Sequence, residues 1–206
     1  MVAVIILAAG RSTRMGQSKP LLPYGGVPGQ TFLSRLVEIA QNSGVLEVFV
    51  VGRPGDAPLQ AEVQRRGATF VENPQADHGQ LSSLQAGLSR LEERHGAELE
   101  AVMVMPADAP LISSAAVDLL LKAARASRAQ ILRATCAGQH GHPVIFKRAT
   151  FAELHTADPN VGARAVVRAD PSRVEDVDVG DVGVTIDFDT PEEYRRHFGT
   201  LPSTSR

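Results

Sequence analysis

Three cations and a run of small residues share one short stretch near the amino terminus: Leu7-Ala8-Ala9-Gly10-Arg11-Ser12-Thr13-Arg14-Met15-Gly16-Gln17-Ser18-Lys19-Pro20. Small side chains at Ala8, Ala9 and Gly10 let a ligand approach the main chain closely. Free N–H groups in such a loop form a nest for an anion, and Arg11, Arg14 and Lys19 add positive charge. A triphosphate needs both features; a solvated Gly/Arg loop is the alternative. The stretch is not a Walker A loop, since no Gly-Lys-Ser/Thr follows Gly10 at the required spacing. Nor is it G-x-G-x-x-G, because Ser12 stands where the second glycine belongs. A dehydrogenase is further disfavoured by the absence of an acidic ribose ligand about 20 residues on: position 30 is Gln30, and only Glu38 lies near.

Three more segments group polar residues with glycine or proline. In 73–84, Gly79 permits a tight turn, and Ser82 and Ser83 open a helix whose N–H groups can meet an anion or simply be capped. In Met105-Pro106-Ala107-Asp108-Ala109-Pro110, Asp108 ends an apolar run. A carboxylate there suits Mg²⁺, which takes one or two carboxylates and fills its shell with phosphate and water; capping the next turn is the other use. In 187–193, Asp187 and Asp189 share a face if a strand continues through them, and an N-cap ahead of Pro191-Glu192-Glu193 is equally served.

The elements that must position these segments follow from periodicity. Apolar runs predict strands at 2–7, 45–51, 68–71, 101–105, 130–135, 144–146, 174–177 and 184–188. Helical spacing predicts helices at 31–42, 59–66, 81–95, about 113–126, 151–155, 163–168 and 191–198. Strands alternating with helices over the first two-thirds imply an α/β fold with a mostly parallel sheet and right-handed crossovers. The short later strands imply a small antiparallel hairpin at one edge. Ligands in such sheets bind beyond the carboxyl ends of the strands, which is where all four segments fall.

The 206 residues, at about 150 per domain, favour one domain over 1–198 with a frayed tail at 199–206. A chain of this size buries roughly 70% of its unfolded surface without staples. With 21 Lys and Arg against 23 Asp and Glu, the net charge of −2 leaves no basic field for nucleic acid. The single cysteine, Cys136, excludes an internal disulfide and fits a reducing compartment. The opening apolar run has no preceding positive segment and is too short for a membrane span, so a cytoplasmic location is expected. There is no tryptophan for a stacking platform.

Taken together, the segments resemble one family. The stretch from Leu7 to Leu22 is similar to the opening motif of the MobA-like nucleotidyltransferases, LAAGxSxRMGxxKxLL. The turn at 79–84 resembles their Gly-x-x-Ser-Ser-Leu, and Asp108-Ala109-Pro110 their Asp-x-Pro. Gly141-His142-Pro143-Val144-Ile145-Phe146, Gly162-Ala163-Arg164 and 187–193 look like later motifs of the molybdenum cofactor cytidylyltransferase branch. The likeness covers roughly 3–198 in order. One departure falls at Pro159-Asn160-Val161, where the branch often carries Gly-Asp ahead of Gly-Ala-Arg.

The resemblance implies a three-layer Rossmann-like fold of the nucleotide-diphospho-sugar transferase type. It implies transfer of CMP from CTP to Mo-molybdopterin, because Ala8-Ala9-Gly10 matches the CTP users and Ala-Gly-Gly the GTP users. Arg14, Lys19 and Asp108 become the expected catalytic residues. Leu7, Ala8, Ala9, Gly10, Arg11, Ser12, Gly16, Asn73, Gly79, Ser82 and Ser83 are expected to bind the nucleotide. Asp108 and Asp189, supported by Asp187, are expected to hold Mg²⁺, or Mn²⁺ in its place. The implied recipients of the product are a molybdoenzyme or its maturation chaperone; no nucleic acid or membrane partner is expected. Two other readings stand beside this one: a sister transferase using GTP or another acceptor, and a module that binds nucleotide or cofactor without turnover.

Overall fold

The computed structural model describes residues 1–25 and 27–201. Seven strands form one sheet: β1 (Val2–Leu7), β2 (Val48–Gly52), β3 (Thr69–Glu72), β4 (Ala101–Pro106), β5 (Ile131–Cys136), β6 (Gln139–Lys147) and β7 (Val174–Asp178), in the order β3-β2-β1-β4-β6-β5-β7. All neighbours are parallel except β4–β6 and β5–β6. The antiparallel part is thus the β5–β6 hairpin, in the half of the sheet closed by β7. Its one reversed strand, β6, is flanked on both sides.

Side chains alternate across β1 because successive residues of a strand point to opposite faces. Val4 and Ile6 join one buried cluster with Leu36 of α1 (Phe32–Asn42), Leu59 of α2 (Ala57–Arg65) and Leu120 of α4 (Ser114–Ala126). Ala3 and Ile5 join the other with Leu88 of α3 (Gln80–His95), Leu154 of α5 (Phe151–Thr156) and Val166 of α6 (Arg164–Ala169). Helices therefore cover both faces, giving the expected three layers. A third cluster gathers Met15, Leu22, Phe32, Phe188 and Tyr194 beneath the amino-terminal loop, with α7 (Pro191–Phe198) alongside. Of the tail expected to fray, Leu201 packs against this cluster, while 202–206 lie outside the described residues.

Three expected strands change. The strand predicted at 45–51 begins at Val48. Ahead of it the Leu46 N–H donates to the Val2 carbonyl (2.8 Å). The strand predicted at 144–146 starts at Gln139. Gly141 and Pro143 hide its first half, since both are poor strand residues in isolation. Gly141 is there for contact: a Cβ would lie 1.9 Å from the Val184 carbonyl oxygen. The strand predicted at 184–188 does not form. A single helical turn covers Val182–Thr185, and the following residues join no ladder. The apolar alternation there serves two clusters instead, Val184 one and Phe188 another.

Candidate active site

The chain leaves β1, runs outward to β2 and β3, and returns on the other side of β1 as β4. Such a reversal of strand order opens a crevice beyond the carboxyl ends of the strands. A cavity of about 310 Å³ lies there. The small main-chain run Ala8, Ala9 and Gly10 lines it, with Leu7, Arg11, Ser12, Lys19, Gly79, Ser83 and Asp108.

The amino-terminal loop reaches back over this crevice by a local fold. Ser12 takes a left-handed φ of 50° and Gly16 one of 74°. The Gly16 N–H donates to the Ser12 carbonyl (3.0 Å), and the Lys19 N–H donates to the Ser12 hydroxyl (3.1 Å). Met15 and Leu22, both buried, anchor the loop in the third cluster. Lys19 is thereby aimed at two carboxylates: its ammonium lies 2.5 Å from Asp189 Oδ1 and 3.0 Å from Asp108 Oδ2. Arg14 donates to the other oxygen of Asp189 (2.7 Å).

Burial works against the Lys19 charge, but the hydrogen bonds to Asp189 and Asp108 outweigh it and raise the ammonium's pKa. The same contact holds the Asp189 carboxyl below its ordinary range. Asp187 is pushed the other way by burial and by the negative charges of Asp108 and Asp189. With no strand through 187–189, Asp187 stays outside the ion-pair network and senses it only through space.

The aspartate segment is held from two sides. The Phe188 N–H donates to the Asp108 carbonyl (2.9 Å), which ties it to the end of β4. Thr190 and Glu193 form a capping box at the start of α7, with the Glu193 carboxylate accepting from the Asp189 and Thr190 N–H groups (both 2.8 Å). Those bonds, the Asp189 one foremost, keep the Glu193 carboxyl below its ordinary range. Losing an N-cap hydroxyl typically costs about 1 kcal/mol. Thr190→Ala should therefore lower the melting temperature by about 2–4 °C, read by circular dichroism.

On the opposite lip, Asp77 accepts two hydrogen bonds from Arg11 (2.9 and 2.7 Å) and one from Arg53 (2.7 Å). Arg53 also donates to the Ala9 carbonyl (2.9 Å). The two guanidiniums hold the Asp77 carboxyl far below its usual range, chiefly through these bonds. Neither Arg53 nor Asp77 was among the expected site residues, although both line the cavity. Arg53 directly follows β2, the kind of position that the strand-end rule singles out.

Gly79 and Ser83 line the cavity, whereas Asn73 and Ser82 stand behind them. The Asn73 amide donates to the Ser82 and Ser83 hydroxyls (2.9 and 3.0 Å) and accepts from the Gln75 N–H (2.9 Å). Ser82 donates toward the Gly79 and Gln75 carbonyls (2.8 Å each). Their shown work is to hold the 73–83 turn in shape.

Among the described residues, no group of three or more His, Cys, Asp or Glu side chains is gathered as a metal centre. Asp108 and Asp189 nevertheless bring hard oxygens to a single ammonium, and the negative charges of both reach Asp187. Two carboxylates suit a divalent cation that arrives with a polyphosphate supplying the remaining ligands. No helix among the described residues is long and apolar enough to cross a membrane.

Fold and cavity define a Rossmann-type α/β domain with its ligand crevice at the switch of strand order. The family model for the MobA-like NTP transferase domain matches residues 4–176. The chain belongs to that family. It is 31% identical over 147 residues to bifunctional protein GlmU of Gloeobacter violaceus, covering 70% of this chain but only 31% of that protein's length. It is 24% identical to the molybdenum cofactor cytidylyltransferase of Escherichia coli, covering 92% of each. It is 26% identical to the molybdenum cofactor guanylyltransferase of Rhodobacter capsulatus, covering 95% and 94%. Among solved structures, Rv0371c of Mycobacterium tuberculosis superposes with a TM-score of 0.79 at 25% identity, over 97% of this chain and 98% of that one.

Proposed function

We propose that this chain transfers CMP from CTP to the phosphate of Mo-molybdopterin, releasing pyrophosphate and leaving molybdopterin cytosine dinucleotide. The observation that carries the reading is the Lys19 ammonium, set between Asp108 and Asp189 at the mouth of a crevice floored by Ala8, Ala9 and Gly10. The full-length likeness to the cytidylyltransferase supports the acceptor, and Ala8-Ala9-Gly10 favours CTP over GTP.

The small residues let the nucleotide lie against the main chain, with the loop that starts at Gly10 offering N–H groups to its phosphates, while Gly16, whose own N–H is held by the Ser12 carbonyl, shapes the loop. An oxygen of the acceptor phosphate attacks the α-phosphorus. The bond from that phosphorus to the bridging oxygen breaks, and the electron pair leaves with pyrophosphate. The attacking group is already an anion, so no side chain need remove a proton. Catalysis is then positioning and charge stabilisation. Lys19 and Arg14 supply positive charge to the α-phosphate and the leaving group, with Arg11 assisting. Mg²⁺, or Mn²⁺, held by Asp108 and Asp189 beside Asp187, would neutralise phosphate charge when bound. We place the whole activity in one domain over 1–198 and in a reducing, cytoplasmic setting, with a molybdoenzyme or its chaperone receiving the product.

Thermal unfolding with CTP, GTP, ATP and UTP, each with and without Mg²⁺, tests the reading. A ligand at 100 times its dissociation constant adds about 2.7 kcal/mol, or about 5–10 °C for a domain of this size. CTP with Mg²⁺ should give the largest rise. A larger rise with GTP moves the assignment to guanylyl transfer, as the guanylyltransferase relative would suggest. No rise with any nucleotide rejects it. A rise without pyrophosphate release points to a binding module.

A further inference from the structure

A second, larger cavity of about 500 Å³ adjoins the first, and Leu7 and Gln80 line both. That volume is in the range of small-molecule sites. One wall is apolar, built by Leu81 and Leu84 of α3, Val104 of β4, and Val144 and Phe146 of β6. Its charged lining, among the described residues, is entirely basic: Arg133, Arg164 and Arg168, with His140 and His142, and no Asp or Glu.

These basic groups are not equivalent. Arg133 is engaged, donating to both oxygens of Asp176 (2.8 and 3.0 Å) from outside the cavity and lying 3.0 Å from His140. Arg164 is exposed, and within the described residues it makes no hydrogen bond or ion pair. His142 likewise has no partner. It is half-buried, and the charges of Asp108 and Arg164 both reach it. His142 lines the larger cavity beside Gly141. Burial first, and Arg164 with it, disfavour the His142 imidazolium despite Asp108. A neutral imidazole still offers one N–H donor.

An unpaired guanidinium on an apolar cavity without carboxylates is a receptor for an anion. We propose that Arg164 and His142 hold the phosphate of an aryl or fused-ring phosphate monoester in the larger cavity, with its flat body along Leu84, Val144 and Phe146. The assignment rests on the nucleotidyl-transfer reading only for what happens next: the larger cavity adjoins, through Leu7 and Gln80, the crevice where the nucleotide would lie. It makes Arg164 and His142 the residues that select and aim the acceptor, a role separate from the charge stabilisation by Lys19.

Phenyl phosphate is a sufficient probe, and calorimetric titration needs no nucleotide. Wild-type protein should bind it. Arg164→Gln should weaken binding about tenfold or more, the usual scale for one charge-assisted hydrogen bond, and His142→Ala several-fold. Arg164→Lys, which keeps the charge but loses the fork, should fall between. Arg164→Gln should leave the thermal response to CTP with Mg²⁺ unchanged, which a general loss of structure would not. Wild-type affinity in both Arg164→Gln and His142→Ala overturns the assignment, as does wild-type protein that does not bind phenyl phosphate. Binding that depends on Arg164 in a protein that answers to no nucleotide supports this assignment and rejects the transferase reading instead.

Discussion

Replacing Lys19 by alanine is expected to lower the rate of pyrophosphate release by roughly 100- to 1,000-fold, the usual loss for one preorganised group facing developing charge. Among the described residues the ammonium is the only group bonded to both Asp108 and Asp189, so no described neighbour inherits its position. Arg14 reaches Asp189 and not Asp108 among the described residues, and it is largely exposed (67% of its side chain), where screening weakens it. The fold should persist. Lys19 sits at a cavity mouth rather than in a core cluster, and the aspartates it leaves behind are partly exposed (21% and 30%) and can take water. Arginine at this position should not restore the rate, because a planar fork cannot replace a point charge between two carboxylates. Turnover by the alanine variant at the wild-type rate, with an unchanged melting curve, would remove Lys19 from the mechanism.

Gly141→Ala should be the most destabilising single methyl addition near the site. Its Cβ would meet the Val184 oxygen at 1.9 Å and the carbonyl carbon at 2.5 Å. Both belong to main chain, so no side chain can rotate away. Overpacking typically costs about 1–3 kcal/mol where side chains can adjust, and here the upper end or beyond is expected. That corresponds to a melting temperature lowered by about 6–12 °C. The 182–189 segment must then retreat, and Asp189 retreats with it. Displacing a reacting group by about 1 Å can cost 100-fold in rate, so activity should fall by more than the loss of folded protein explains. Gly10→Ala is the contrast: its Cβ meets nothing within 4 Å, so stability should hold and only nucleotide affinity should suffer. Equal melting temperatures for Gly141→Ala and wild type would reject this account of the contact.

Much of this architecture was legible in the residues, for physical reasons. β1, α1 and α4 carry uninterrupted periodicity and ordinary caps, such as Thr31 ahead of α1 and Ser113 ahead of α4, and their limits fall where expected. Arg14, Lys19, Asp108 and Asp189 do converge, over separations of up to 175 residues. What stayed hidden depends on tertiary contact. Gly141 looks like a strand breaker until the Val184 carbonyl is set against it. The alternation at 184–188 looks like a strand until its residues are seen to fill two separate clusters. Asp77 and Arg53 have no short motif between them, and only the fold makes them neighbours. Asn73 and Ser82 are polar residues in the right loop, but hydrogen bonds within the 73–83 turn occupy them.

The reversed strand β6 has a consequence for how such a domain can change. In a fully parallel sheet, only strand ends meet the ligand side. Here the tip of the β5–β6 hairpin, at residues 137 and 138, also lies on that side. It carries the start of β6, with His140, Gly141 and His142, along the larger cavity. The loops after β1 and β4 belong to the other half of the sheet. Lengthening or shortening this one turn redraws the wall of the larger cavity without passing through Lys19 or Asp108. Provided that Gly141 keeps its place against the Val184 carbonyl, the two halves of the site can therefore diversify separately, one keeping a common chemistry while the other changes what it is applied to.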